Sequence, residues 1–145
     1  MLGISEQFKE VFYRKAFKKG IRSNFYILPP ISDELLAMLY SNASAVLYPT
    51  LHEGFGFPVL EALLSQVPVL ASNVASLPEI SGGFAFLLSP NDIKIWEKTL
   101  RWILNNPNDI SLRKCLENGY KWASNFSWDK TVMKTFNLFR EIALK

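Results

Sequence analysis

Four short apolar runs, separated by stretches of helical periodicity, constrain this chain more than any other feature. They are Asn24–Leu28 (ended by Pro29-Pro30), Ala45–Tyr48 (closed by Pro49), Val67–Ala71 and Phe84–Leu88 (between Gly82-Gly83 and Pro90). Short continuous apolar runs predict strands buried on both faces. Pro68 belongs at the start of its strand, because proline cannot donate to a ladder. Helical periodicity covers residues 5–19, stopped by Gly20, and Glu34–Tyr40, capped by Ser32 and Asp33 with Leu35, Leu36 and Leu39 on one face. Pro58 opens a helix through Ser65, since its missing N–H would be unpaired at a first helical position anyway. Residues 92–104, 109–124 and a segment from Ser127 to about Leu144 read as three further helices. The alternation predicts an α/β fold, a parallel sheet with helices on both faces. Ligands of such sheets bind at the carboxyl ends of the strands, which directs attention to Pro49–Pro58.

The 145 residues suit one domain, and an apolar share of 49% against 20% charged suits a globular fold. No apolar run approaches the roughly 20 residues of a spanning helix. The opening MLGISEQFKE lacks the basic-then-apolar layout of a secretory signal, so a cytoplasmic location is expected. The single cysteine, Cys115, excludes an internal disulfide and reads as a packing thiol; the single histidine, His52, excludes any centre built on several histidines. Net charge is +3, with Arg14, Lys15, Lys18, Lys19 and Arg22 clustered among Phe8, Val11, Phe12 and Phe17. Such a helix can lie peripherally on the inner face of an anionic membrane or hold phosphates; the preferred reading is a solvated face over an apolar stripe. The modest charge and the lack of a recognised motif argue against a nucleic-acid partner. Trp96, Trp102, Trp122 and Trp128 sit at helical positions and read as core packing rather than as sugar platforms.

The segment after the second run is PTLHEGFGFPVLEALLSQ. Gly54 and Gly56 permit backbone close to a ligand. The loop leads into a helix at Pro58, and a helix N-terminus offers unpaired N–H donors and partial positive charge to phosphate. Glu53 precedes the loop, and Glu61 lies about one turn into the helix as the only charge from Val59 to Leu64. Carboxylates accept hydrogen bonds from sugar hydroxyls, and one near an anomeric carbon stabilises an oxocarbenium-like transition state. A phosphate-plus-hydroxyl site and an ordinary strand-to-helix turn both fit these residues.

The run Glu53-Gly54-Phe55-Gly56-Phe57-Pro58-Val59-Leu60-Glu61 resembles the E-x7-E signature of glycosyltransferase family 4, the glycosyltransferases group 1 of the GT-B fold. Ser32–Leu35, Ala45–Pro49, Pro68–Asn73, Leu77–Ile80 and Phe126–Trp128 extend the resemblance from about residue 20 to the C-terminus. It implies a Rossmann-like parallel sheet and a donor-binding role for the chain. The donor would be a nucleoside-diphosphate sugar such as GDP-mannose or a UDP-sugar. By the resemblance, Glu53 contacts the donor sugar near the reacting carbon. Gly54, Phe55, Gly56 and Phe57 form the loop on sugar and pyrophosphate. Glu61 takes the ribose hydroxyls, and Leu28, Pro29 and Pro30 are a candidate base pocket. The family retains anomeric configuration and its GT-B members generally bind donor without metal; the resemblance does not make Glu53 a nucleophile. The run Tyr48–Pro78 leans toward bacterial mannosyl- or rhamnosyltransferases of surface-polysaccharide synthesis. Ser65-Gln66-Val67 stands where the family often has a small residue and glycine.

The resemblance also implies two domains, with an acceptor-binding domain first. These residues have room for part of the second, and the family's Arg/Lys pair for pyrophosphate has no counterpart among them. The expectation is therefore an incomplete donor domain that transfers no sugar alone and works with a missing N-terminal domain or a split partner chain. A non-catalytic interaction module derived from such an enzyme is the alternative.

Overall fold

Three of the four apolar runs form the sheet. The structure, a computed structural model, describes residues 6–21 and 24–143, and only the backbone of residues 6–8. In chain order the elements are α1 (Glu6–Lys18), α2 (Asp33–Ser41), β1 (Val46–Tyr48), α3 (Phe57–Leu64), β2 (Val69–Ser72), α4 (Leu77–Ser81), β3 (Phe86–Leu88), α5 (Ile93–Asn105), α6 (Ile110–Ala123) and α7 (Trp128–Ala143). The chain forms two compact units that divide between Leu36 and Ala37, within α2.

In the second unit the strands run parallel in the order β1-β2-β3. Val46 pairs with Val69 and Tyr48 with Ala71; Leu70 pairs with Phe86 and Ser72 with Leu88. The central strand is buried along its whole length, which is why it reads as an unbroken apolar run. Its alternate residues feed two cores. Val69 and Ala71 join Val59, Leu60, Ala62 and Leu63 of α3, Leu77 and Ile80 of α4, and Ala123 of α6. Leu70 joins Trp96 and Ile103 of α5 and Leu112 of α6. Helices thus cover both faces of a parallel sheet, as predicted. Side-chain caps fix the later helices: Asp92 accepts from the N–H groups of Lys94 and Ile95, Asp109 from Leu112, and Ser127 from Lys130.

Four expectations need correction. Asn24–Leu28 is not a strand: no strand among the described residues pairs with it, and the ring of Phe25 instead stacks on Phe12 and meets Tyr13 edge-on. The apolar face of α2 is only partly covered: Leu35 and Leu39 are exposed and Leu36 is half-buried. Trp96 is buried and Trp122 half-buried, but Trp102 and Trp128 are exposed. Finally, Leu77–Ser81 forms a helix where none is expected; Gly82 ends it at φ 57°.

In the first unit, Ala16 is buried, while Arg14, Lys15, Lys18 and Lys19 are exposed beside exposed Val11 and Phe17. Arg14 pairs with Glu10 at 3.3 Å, a solvated contact worth about 0–1 kcal/mol. Arg22 and Leu144 lie outside the described residues. Cys115 is half-buried with its Sγ 3.7 Å from the carbonyl of Phe84, consistent with a packing thiol. No helix among the described residues is long and apolar enough to cross a membrane.

Candidate functional site

β1 ends at Tyr48, and the chain crosses the carboxyl end of the sheet as a loop before re-entering the core as α3. Gly56 stands at the N-cap of α3 with φ 107°, and no side chain caps the helix. A Cβ there would lie 2.5 Å from Cδ2 of buried Leu77, so both conformation and space require glycine. Gly54 differs: a Cβ there would meet nothing within 4 Å. The loop is also held from the next strand's far end. The Ser76 hydroxyl lies 2.9 Å from the carbonyl of Phe55 and 3.3 Å from that of Glu53.

Glu53 sits at the mouth of this loop, partly buried. One carboxylate oxygen, Oε2, accepts from the Tyr48 hydroxyl, and Oε1 accepts from the backbone N–H of Gly54 at 3.0 Å. The Tyr48 bond holds the Glu53 carboxyl below the usual range, helped by the backbone N–H groups of Phe55 and Gly54 and by nearby His52. It is therefore ionised at neutral pH. In this state the carboxylate occupies a loop amide that the resemblance assigns to the donor.

Glu61 projects from the same turn region of α3 as an otherwise apolar helix buries Val59, Leu60, Ala62 and Leu63. Its carboxylate lies within electrostatic reach of the Tyr40 phenol of α2. Burial first, then Glu61, pushes the Tyr40 phenol well above its ordinary value. Burial, then the Glu53 hydrogen bond, pushes Tyr48 up to about 12, with Glu61 adding to the effect. Tyr40, Tyr48, Glu53 and Glu61 therefore form one cluster of two phenols and two carboxylates. Around the loop, Phe55 and Phe57 lie 4.7 Å apart between ring centroids, Phe55 meets Phe126, and Phe57 meets Trp128.

The structure thus brings Glu53, Gly54, Phe55, Gly56, Phe57 and Glu61 together in the second unit. Leu28, Pro29 and Pro30 belong to the first unit and carry no regular secondary structure. Sequence reasoning missed Tyr40, Tyr48 and Ser76. The available signal was a polar-tipped aromatic at the last position of an apolar strand and another on an otherwise apolar helix face, each needing an acceptor when buried.

The sequence profile of the Glycosyl transferases group 1 family matches residues 1–122. O-antigen chain mannosyltransferase B of Escherichia coli is 38% identical over 111 residues, which are 76% of this chain and 28% of that protein. MMP alpha-(1->4)-mannosyltransferase of Mycolicibacterium hassiacum is 32% identical over 126 residues, 84% of this chain and 30% of its own. The chain spans less than a third of the length of these relatives. Among solved structures, sucrose-phosphate synthase from Thermosynechococcus elongatus superposes over 99% of this chain and 38% of its own with a TM-score of 0.86 at 22% identity, showing a shared fold. The C-terminal domain of a glycosyl transferase group 1 family protein from Francisella tularensis covers 83% of this chain and 62% of its own, with a TM-score of 0.68 at 25% identity. With its Glu53–Glu61 loop set at the carboxyl end of a Rossmann-like parallel sheet of the GT-B type, this chain belongs to the group 1 glycosyl transferases.

Proposed function

We propose that this chain is the donor-binding part of a retaining glycosyltransferase that moves a hexose, mannose-like by its relatives' names, from a nucleoside-diphosphate sugar to an acceptor in polysaccharide or glycolipid synthesis. The observation that carries this reading is the pair of carboxylates, Glu53 held by Tyr48 and Glu61 on α3, either side of one glycine loop and the uncapped start of α3. Glu61 takes the ribose hydroxyls. Glu53 takes donor sugar hydroxyls and stabilises positive charge that develops at the anomeric carbon. The backbone amides of Gly54, Phe55 and Gly56, with Phe57 at the helix start, face sugar and pyrophosphate oxygens. Binding exchanges the Glu53 carboxylate for donor oxygens at the Gly54 amide. No metal is needed, since amides and the helix start supply the positive potential. A cytoplasmic location, peripheral at the inner membrane face through the basic residues of α1, belongs to the same reading.

The chain alone transfers no sugar, because it spans under a third of the length of its relatives and the acceptor site is assigned to the remainder. Titration calorimetry with GDP-mannose and UDP-glucose tests both halves. Weak binding of one donor by the wild-type chain, lost in Glu61→Ala, is expected. Unchanged affinity in Glu61→Ala overturns the ribose role, and turnover by the purified chain overturns the inactive-alone half. A second reading, a non-catalytic interaction module, draws on α7, none of whose residues is buried. Self-association of the chain without any donor binding would favour it.

A further inference from the structure

Glu53 is met by a tyrosine from the strand that precedes its loop. Tyr48 closes β1, and its ring packs against the core that includes Val59, Leu60 and Leu63 of α3 and Val69 and Ala71 of β2. The ring is therefore held in place by packing. Its hydroxyl donates to Oε2 of Glu53. Resting on the function proposed above, we propose that Tyr48 is a positioning residue that presets Glu53 for the donor sugar.

A glutamate carboxylate has about four acceptor sites. Tyr48 uses one on Oε2 of Glu53, which holds the carboxylate at the loop and leaves lone pairs on both oxygens for vicinal hydroxyls once the donor takes over the Gly54 amide. A free glutamate would lose its rotamer freedom when the donor binds; here that freedom is lost on folding, so affinity rises. The Tyr48 phenol, pushed up to about 12, keeps its proton through the physiological range, so it remains a donor while Glu53 is ionised.

A tyrosine whose only task is packing would affect every ligand equally. The positioning role predicts effects that follow the ligand's parts. The 145-residue chain is titrated with GDP-mannose, GDP and 2′-deoxy-GDP, and with UDP-glucose against UDP and 2′-deoxy-UDP, with melting followed in parallel. Tyr48→Phe is expected to weaken the nucleotide sugar about 3- to 10-fold, the worth of one pre-ordered side chain, and to leave the nucleoside diphosphate within about twofold. The deoxynucleotides are expected to lose no more in this variant than the nucleoside diphosphates do. Binding by the wild type that Tyr48→Phe leaves unchanged, or weakens uniformly for every ligand, overturns the positioning role alone. A wild-type chain that binds none of the six ligands overturns the underlying donor-binding reading, and this inference with it. If Tyr48→Phe does not fold, Glu53→Ala gives the reverse reading. It should let Tyr48 ionise at lower pH in tyrosinate absorbance, and unchanged ionisation overturns the pairing.

Discussion

α3 and α7 carry similar burdens of large apolar side chains and end in opposite situations. α3 is eight residues long and buries four of them, Val59, Leu60, Ala62 and Leu63, against the sheet, α4 and α6. α7 is twice that length at 16 residues, and none is buried. Trp128, Val132, Phe136 and Phe139, spaced three or four apart, remain 55% exposed or more. The difference is one of position rather than composition. α3 follows the loop after β1 and is fixed at both ends, by Gly56 before it and a reversed turn at Gln66 after it. α7 follows α6 after a short turn, and its ring contact is made by Trp128 in its first turn. The binding loop is attached to the helix that cannot move without opening the core, which suits a site needing fixed carboxylates.

The largest test of this contrast is a pair of truncations. Leu63→Ala removes a fully buried side chain and should cost about 2–5 kcal/mol, whereas Phe139→Ala, at 64% exposure, should fall within about 0.5 kcal/mol. Comparable urea midpoints for the two variants would break the comparison. Next comes the start of α3. Gly56→Ala must hold alanine at φ 107° with its Cβ against buried Leu77, for about 1–3 kcal/mol, while Gly54→Ala meets open space and should leave stability unchanged. Equal melting temperatures for these two variants would show that the loop does not anchor the helix.

The other end of α3 gives a smaller effect of opposite sign. Val67 N–H reaches back to the carbonyl of Ala62 and Gln66 N–H to that of Leu63, both at 3.0 Å, and Gln66 adopts φ 53°. This is the six-to-one and five-to-two pairing that favours glycine at its left-handed position. Gln66→Gly should therefore stabilise by about 1 kcal/mol, the strain of a side chain in that conformation. No gain in thermal unfolding would mean that Gln66 makes a compensating contact. The departure from the usual glycine after Ser65 is thus a local strain at the end of the site's own helix.

These positions also mark what the sequence could and could not tell. β1, β2 and β3 were legible because buried parallel strands are short, apolar and punctuated by proline or glycine. α5, α6 and α7 were legible because Asp92, Asp109 and Ser127 cap them locally. Asn24–Leu28 has the composition of a strand, but pairing is a property of the neighbour, and none is present among the described residues. α4 escaped notice because its support is remote. Gly82 ends it under the ring of Trp122, whose indole N–H donates to the Ile80 carbonyl at 2.8 Å. The site divides in the same way. Glu53 and Glu61 stand in one contiguous motif with the glycines between them. Their tyrosine partners come from elements whose approach only the folded sheet defines.

The smallest effect concerns those partners and distinguishes the surroundings of α3 from those of α7 by pH. The Tyr48 phenol titrates near 10 in an unfolded chain and near 12 in the fold, because burial and the Glu53 carboxylate disfavour a second negative charge. Between these values the unfolded chain has lost a proton that the folded chain keeps, so stability falls as pH rises. The contribution is fully present below pH 10 and is gone once the folded group also ionises above about 12. The phenol is accessible enough for solvent to screen it, which limits the loss to about a few tenths of a kcal/mol. Tyr48→Phe should therefore flatten the alkaline limb of the stability curve in that interval and leave it unchanged at neutral pH. Tyr40, displaced in the same direction by burial and Glu61, preserves part of the decline in this variant. A Tyr48→Phe curve parallel to wild type through the whole interval would mean that the Tyr48–Glu53 bond does not persist in solution. Glu53 would then be no better ordered than any exposed loop acid.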